Sequence, residues 1–154
     1  MASERAAVLA HRLREAAADL IAVVEPIDDR QWRHIAHHGA WSIGKDAEHV
    51  ADAAMYHQWI ARLTIGEKVS SRRPTIERNK LTTRLAPRGA VQLIHQRTED
   101  GARLLVELTD EQLGLPTRPP RARAELLAGT IDRVLIGHYD AHRADIEAKL
   151  RALV

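Results

Sequence analysis

The sequence lacks cysteine and phenylalanine, and its 154 residues include only three tryptophans and two tyrosines. Without cysteine, the chain cannot form disulfides, build a cysteine-ligated zinc site or use a cysteine nucleophile. The scarcity of aromatic residues disfavours a β-rich fold, because strands normally draw on aromatic and β-branched side chains. The chain is rich instead in Ala, Leu, Arg and Glu, which are strong helix formers.

Long apolar runs and a strong net charge are also missing. No stretch approaches the ~18 apolar residues expected of a transmembrane helix, and the first segment is amphipathic, unlike the apolar core of a signal peptide. We therefore expect a cytoplasmic protein with no membrane contact. The net charge of +2 is weak evidence for a nucleic-acid partner, and we expect none.

Four long segments show the three-and-four spacing of apolar residues that is typical of amphipathic helices. They run from about Ser3 to Glu25, from Ser42 to Ile65, from Pro87 to Thr109-Asp110, and from about Arg121 to the C-terminus. A short turn of helix is predicted around residues 28–32, and residues 66–86 form a long basic connection between helices 2 and 3. The pattern predicts an all-α fold, a four-helix bundle in one domain over residues 1–154.

The pair His138 and His142 is the most informative local pattern. Four residues apart on a helix, the two side chains project from one face, ~6 Å apart at Cβ. That face is the apolar stripe that also holds Leu135 and Ile146. Imidazoles directed into a core are costly unless a partner satisfies them, and neutral imidazole is a common ligand for zinc, nickel, copper and iron. Such a pair is also often a surface or hydrogen-bonded feature, so both interpretations stay open.

His49 is the best candidate for a third ligand, because it shares a seam of the second helix with Ala53, Tyr56 and Ile60. Taken alone, a histidine at this position is more often a core residue satisfied by hydrogen bonds. The other six of the nine histidines are interpreted as ordinary: His34, His37 and His38 in a polar loop that offers an alternative extra ligand, and His11, His57 and His95 on helices.

Two motifs resemble the DinB-like superfamily. Residues 41–52 begin with Trp-Ser at a helix start and place a histidine eight residues after the tryptophan, and residues 136–146 contain His-x-x-x-His. The resemblance covers nearly the whole chain. It implies an up-down-down-up bundle with the long connection between helices 2 and 3, and a metal held by His49, His138 and His142. Asp145 is a departure, because relatives often carry Gln at this position.

The resemblance also implies chemistry, because the superfamily includes thiol-cofactor-dependent isomerases and transferases. Three imidazoles leave at least one coordination position open, the pattern of catalytic rather than structural zinc. An open divalent metal activates a thiol or water, and this chain has no thiol of its own. We therefore expect a metal-dependent enzyme, a thiol-cofactor-dependent transferase or a hydrolase, with zinc or nickel, a low-molecular-weight thiol and a small-molecule substrate.

Asp52, Tyr56 and Asp145 lie near the predicted ligands by helical spacing and are candidates for orienting them. The alternative is solvated surface for the two acids and core packing for Tyr56. Two basic stretches either steer an anionic substrate or a carboxylate-bearing thiol, or are simply solvated loops: Arg72, Arg73, Arg78, Lys80 and Arg84, and then Arg118, Arg121 and Arg123.

A competing hypothesis is a non-catalytic helical bundle that acts as a stress-related or partner-binding module. The lack of an obvious acid–base partner at a diagnostic spacing favours it, whereas the histidine triad favours the enzyme. A homodimer formed through one helix face is compatible with either.

Overall fold

The computed structural model describes residues 2–119 and 124–154. Its helices are α1 Glu4–Val24, α2 Asp29–Arg33, α3 Ile43–Thr64, α4 Pro87–Val106, α5 Asp110–Leu113, α6 Leu127–Thr130 and α7 Gly137–Ala152, with a π-helical segment Ile131–Ile136 between the last two. The described ranges contain no strand, so the all-α prediction is confirmed. None of the helices in these ranges is both long and apolar enough to cross a membrane.

Side-chain caps set where the first long helices begin. The hydroxyl of Ser3 accepts a hydrogen bond from the backbone N–H of Ala6 at 3.2 Å, and the hydroxyl of Ser42 accepts one from Lys45 at 3.1 Å. Each cap satisfies a backbone donor that the helix itself leaves unpaired. Pro87 is the first residue of α4, where its fixed φ is favourable. The predicted starts at residues 3, 42 and 87 therefore agree with the structure to within one residue.

The core lies between the four long helices. α1 and α3 each pack against both α4 and α7. The apolar residues spaced three and four apart on α1 are buried in the core: Leu9, Leu13, Ala17, Leu20 and Val24. Tyr139 of α7 is also buried in this core, and its hydroxyl lies 2.9 Å from that of Thr98 on α4, so the polar group is satisfied. The up-down-down-up order of helix directions stays a prediction.

The last helix differs from its predicted form. Its expected start near Arg121 falls outside the described residues, and in the described part helix begins at Leu127. The π-helical segment Ile131–Ile136 was not predicted. A π turn uses i→i+5 hydrogen bonds and changes the angular position of everything that follows. It therefore sets which way the first turn of α7 faces.

All three tryptophans hold the long connection against the helices. The indole N–H of Trp32 donates to the carbonyl of Leu85 at 2.7 Å. That of Trp41 donates to Arg78 at 3.2 Å, and that of Trp59 donates to Ser70 at 2.9 Å. The connection has no helix or strand of its own, so these hydrogen bonds fix its path over the bundle.

Candidate metal centre

Three histidines from two helices converge inside the bundle. His49 lies on α3, two turns after the Ser42 cap, and His138 and His142 occupy the first turns of α7. The Nε2 atoms of His49 and His138 lie 3.0 Å apart. One ring nitrogen from each of the three histidines lies within 4.8 Å of the others. The convergence expected from the sequence is therefore present in the fold.

Burial keeps two of these rings neutral. Burial, followed by the charges of the neighbouring His142 and His138, lowers the pKa of His49 to about 3. Burial is also the main cause that lowers the pKa of His138 to about 4, followed by the charges of His142 and Arg78. At neutral pH both rings therefore carry a free lone pair, which is the form that binds a metal.

The third ring is oriented by a carboxylate. Nδ1 of His142 lies 3.1 Å from Oδ1 of Asp46, whose side chain is only 4% exposed. A carboxylate can only accept, so this contact favours the neutral tautomer with the proton on Nδ1 and the lone pair on Nε2. Asp46 also accepts a hydrogen bond from Lys149, and the ammonium of Lys149 donates to the carbonyl of Trp41 at 3.0 Å. This chain fixes both the tautomer and the orientation of the ring.

Aromatic packing closes one side of the cluster. The ring of Trp41 lies 4.9 Å from that of His49 and is stacked on that of His142 at 6.2 Å, measured between centroids. Nδ1 of His49 is buried and has no hydrogen-bond partner within residues 2–119 and 124–154. An unmade hydrogen bond of this kind costs about 1–3 kcal/mol.

The donor set suits a divalent cation. In tetrahedral zinc coordination, two nitrogen atoms that each lie ~2.0–2.1 Å from the ion are ~3.3 Å from each other. The Nε2 atoms of His49 and His138 lie 3.0 Å apart, which is close to that separation. The group as a whole, His142 included, has one ring nitrogen from each residue within 4.8 Å of the others. Neutral imidazoles with a carboxylate behind one of them form a common zinc or nickel environment. The buried group of His49, His138 and His142 near Asp46 therefore fits a metal site.

The chain matches a known protein family over most of its length. A family model described as the DinB superfamily matches residues 12–146. The chain belongs to the DinB superfamily. No curated protein and no solved structure gives a significant match. The matched range contains all three histidines together with Asp46, so the DinB assignment covers the whole candidate centre.

The candidate orienting residues of this DinB chain differ in their positions. Oδ2 of Asp145 lies 3.9 Å from Nδ1 of His142, but its side chain is 63% exposed. Tyr56 packs against His57 and faces the same cavity as His138. Asp52 is half-buried, and burial, followed by the charge of Glu48, raises its pKa. The charged groups that act on Asp52 are Glu48, Lys45 and Arg97 rather than the histidines of the triad.

Sequence reasoning missed the residues that hold the triad most closely. Asp46 is not among the orienting residues expected from the sequence. It lies three residues before His49 and therefore on the same helix face, which was an available signal. Lys149 lies two turns after His142, but its pairing with Asp46 depends on the packing of α3 against α7. His57, interpreted as ordinary, is buried, with its ring 5.5 Å from that of His138.

A cavity of about 670 Å³ opens beside the triad. It touches the triad at His138 and is also lined by Tyr56 and His57 of α3 and by Val134 of the π-helical segment. Residues 73–76 and Arg78 of the long connection form the opposite wall. The volume lies in the range of ~300–1,000 Å³ that is typical of small-molecule sites.

Proposed function

We propose that this DinB protein binds one divalent metal ion, zinc or nickel, through His49, His138 and His142. The supporting observation is the 3.0 Å approach of the His49 and His138 Nε2 atoms at a point where burial keeps both rings neutral. Asp46 supports the proposal by holding His142 with Nε2 free to bind. When bound, the ion would act as a Lewis acid that lowers the pKa of a thiol or a water molecule.

We further propose that the protein is a metal-dependent enzyme, a thiol-cofactor-dependent transferase or a hydrolase. Three protein ligands leave a coordination position for substrate or cofactor, and the cavity reaches the triad at His138. The chain has no cysteine, so a thiol would have to come from a small molecule. Tyr56 and His57 line the same cavity and offer a hydroxyl and an imidazole to a bound molecule.

The up-down-down-up order of helix directions and the single domain over residues 1–154 complete the proposal. They are supported by the family match over residues 12–146 and by the contacts of α1 and α3 with both α4 and α7.

Metal content tests the first part. The untagged protein would be analysed by inductively coupled plasma mass spectrometry as wild type, His138→Ala and His95→Ala. His95 is exposed on α4 and serves as the matched control. We expect about one divalent ion per chain in the wild type and in His95→Ala, and little in His138→Ala. Equal metal in all three, or a wild type that takes up neither zinc nor nickel, would contradict the site.

Catalysis has a separate test. Wild-type protein would be assayed for conjugation of low-molecular-weight thiols to a model electrophile and for ester hydrolysis, with and without a chelator. Turnover that a chelator abolishes and that added metal restores supports the enzyme. A metal-loaded protein without turnover of either kind would favour the non-catalytic, partner-binding bundle.

A further inference from the structure

The cavity beside His138 carries positive charge without acidic compensation. Arg73 and Arg78 both line it, and neither aspartate nor glutamate is among its described lining residues. In ordinary surface loops, arginines are commonly paired with carboxylates or directed into solvent. Arg73 and Arg78 are exposed, but both border a concave site, which concentrates their field on whatever enters it.

These two arginines have no carboxylate partner within the described parts of the chain. Arg73 lies over the ring of Tyr56, with its guanidinium carbon 5.8 Å from the ring centroid. Arg78 is close enough to His49 and His138 for its charge to lower the pKa of both rings. A divalent cation on the triad would add to the same positive field.

The long connection holds Arg78 in place. The indole N–H of Trp41, the residue that packs on His49 and His142, donates to the backbone carbonyl of Arg78. Trp59 fixes the other end of the segment by donating to Ser70. The same tryptophan therefore contacts the triad and the backbone of a cavity arginine, which preorganises the basic wall relative to the histidines.

We propose that this cavity binds a small-molecule carboxylate, with Arg73 and Arg78 pairing with the carboxylate while the rest of the molecule extends toward His138. The proposal rests on the proposed function for its reactive end, but the carboxylate site itself consists of protein groups. Arginine suits planar, two-oxygen anions through its paired N–H donors. Tyr56 and Val134 supply apolar surface for a short carbon skeleton. The carboxylate belongs either to the substrate or to the thiol cofactor.

Three probes separate the contribution of the carboxylate to binding from that of the thiol: 3-mercaptopropionate, its methyl ester, and propionate. Binding would be measured by nuclear magnetic resonance titration of the full chain, with and without zinc. The variants would be Arg73→Gln, Arg78→Gln and, as control, Arg72→Gln, which lies in the same connection but does not line the cavity. Metal content would be measured for every sample, so that loss of the metal site is seen independently of loss of the carboxylate site.

We expect the wild type to bind 3-mercaptopropionate roughly tenfold or more tightly than its methyl ester, since a charged hydrogen-bonded pair contributes about that factor. Arg73→Gln and Arg78→Gln should each reduce this preference at unchanged metal content, and Arg72→Gln should keep it. If 3-mercaptopropionate binds more tightly than propionate only when zinc is present, the carboxylate belongs to the thiol cofactor. If the two acids bind equally, the carboxylate belongs to the substrate.

Equal affinity for acid and ester in the wild type would overturn the carboxylate proposal, as would an equal loss in all three arginine variants. If the wild type takes up no zinc but still prefers 3-mercaptopropionate to its methyl ester in an Arg78-dependent way, the metal proposal fails and the carboxylate site stands.

Discussion

Asp46 and His142 face each other across α3 and α7, with Oδ1 of Asp46 3.1 Å from Nδ1 of His142. The carboxylate is buried, and Lys149 holds it from the other side. A carboxylate behind a ligating histidine fixes its tautomer and raises its basicity. The packing of α3 against α7 therefore determines the tautomer and basicity of His142 through this contact.

Replacement of Asp46 by Asn should weaken metal binding by about 10–100-fold, because the ring of His142 loses its charged acceptor. Zinc affinity measured by competition with a chromophoric chelator checks this. Asp145→Asn is the matched control, since Asp145 is exposed and its oxygen lies 3.9 Å from the same nitrogen. Equal effects of the two substitutions would mean that Asp46 has no special orienting role.

Replacement of Lys149 by Met should destabilise the metal-free protein by about 1–3 kcal/mol. The substitution leaves the carboxylate of Asp46 buried without its cation and the carbonyl of Trp41 without its donor. Urea denaturation measures the loss. Arg151→Met, an exposed position on the same helix, should change stability by less than about 0.5 kcal/mol. A Lys149→Met variant as stable as this control would contradict the account.

Replacement of Gly44 by Ala should destabilise the fold by about 1–3 kcal/mol. An added Cβ would lie 2.6 Å from Cε2 of Trp32 and 2.8 Å from Thr83, so α2 and the connection would have to move. At Gly89 a Cβ would meet only Leu85 at 3.7 Å, and alanine there should be neutral or stabilising by up to about 1 kcal/mol. Thermal unfolding of both variants measures the two changes in stability. A similar change in the two variants would contradict the close packing described at Gly44.

Stability of the metal-free protein should fall on acidification below pH 6.5. The folded state lowers the pKa of His49 to about 3 and of His138 to about 4, from the unfolded value of 6.5. Between these values the unfolded chain binds more protons than the folded one, so lowering the pH favours unfolding, on the order of 1 kcal/mol per pH unit. Denaturant unfolding between pH 7.5 and 4.5 measures the slope.

The His49→Asn variant is the control for this slope, because it removes one of the two buried titrating rings. It should show a shallower dependence on pH, whereas His95→Ala, at an exposed position on α4, should keep the wild-type slope. A wild-type stability that does not change between pH 7.5 and 4.5 would show that the two rings are not held neutral by burial.

Local rules explain what the sequence predicted well. Ser42 and Pro87 have chemistry specific to helix starts, and the structure begins α3 and α4 beside or at those residues. The i,i+4 spacing of His138 and His142 fixes a shared face wherever the helix packs. The seam of the second helix made His49 the candidate third ligand, the family resemblance implied the same residue, and the three rings do meet. That they coordinate a metal stays a prediction.

Other features depend on tertiary contacts that no local pattern encodes. The π-helical segment Ile131–Ile136 breaks the 3.6-residue period without a proline or glycine inside it. Asp46 and Lys149 are separated by 103 residues, and their pairing requires α3 and α7 to pack side by side. The hydrogen bonds from Trp41 and Trp59 to the connection are likewise long-range. A homodimer and a cytoplasmic location stay predictions.

X-ray absorption spectroscopy at the edge of the metal that co-purifies with the untagged chain tests the central claim most directly. For zinc, the account predicts imidazole nitrogens at ~2.0–2.1 Å, three in the wild type and one fewer in His49→Ala. A shell of oxygen ligands without imidazole, or an identical spectrum in the two proteins, would contradict it.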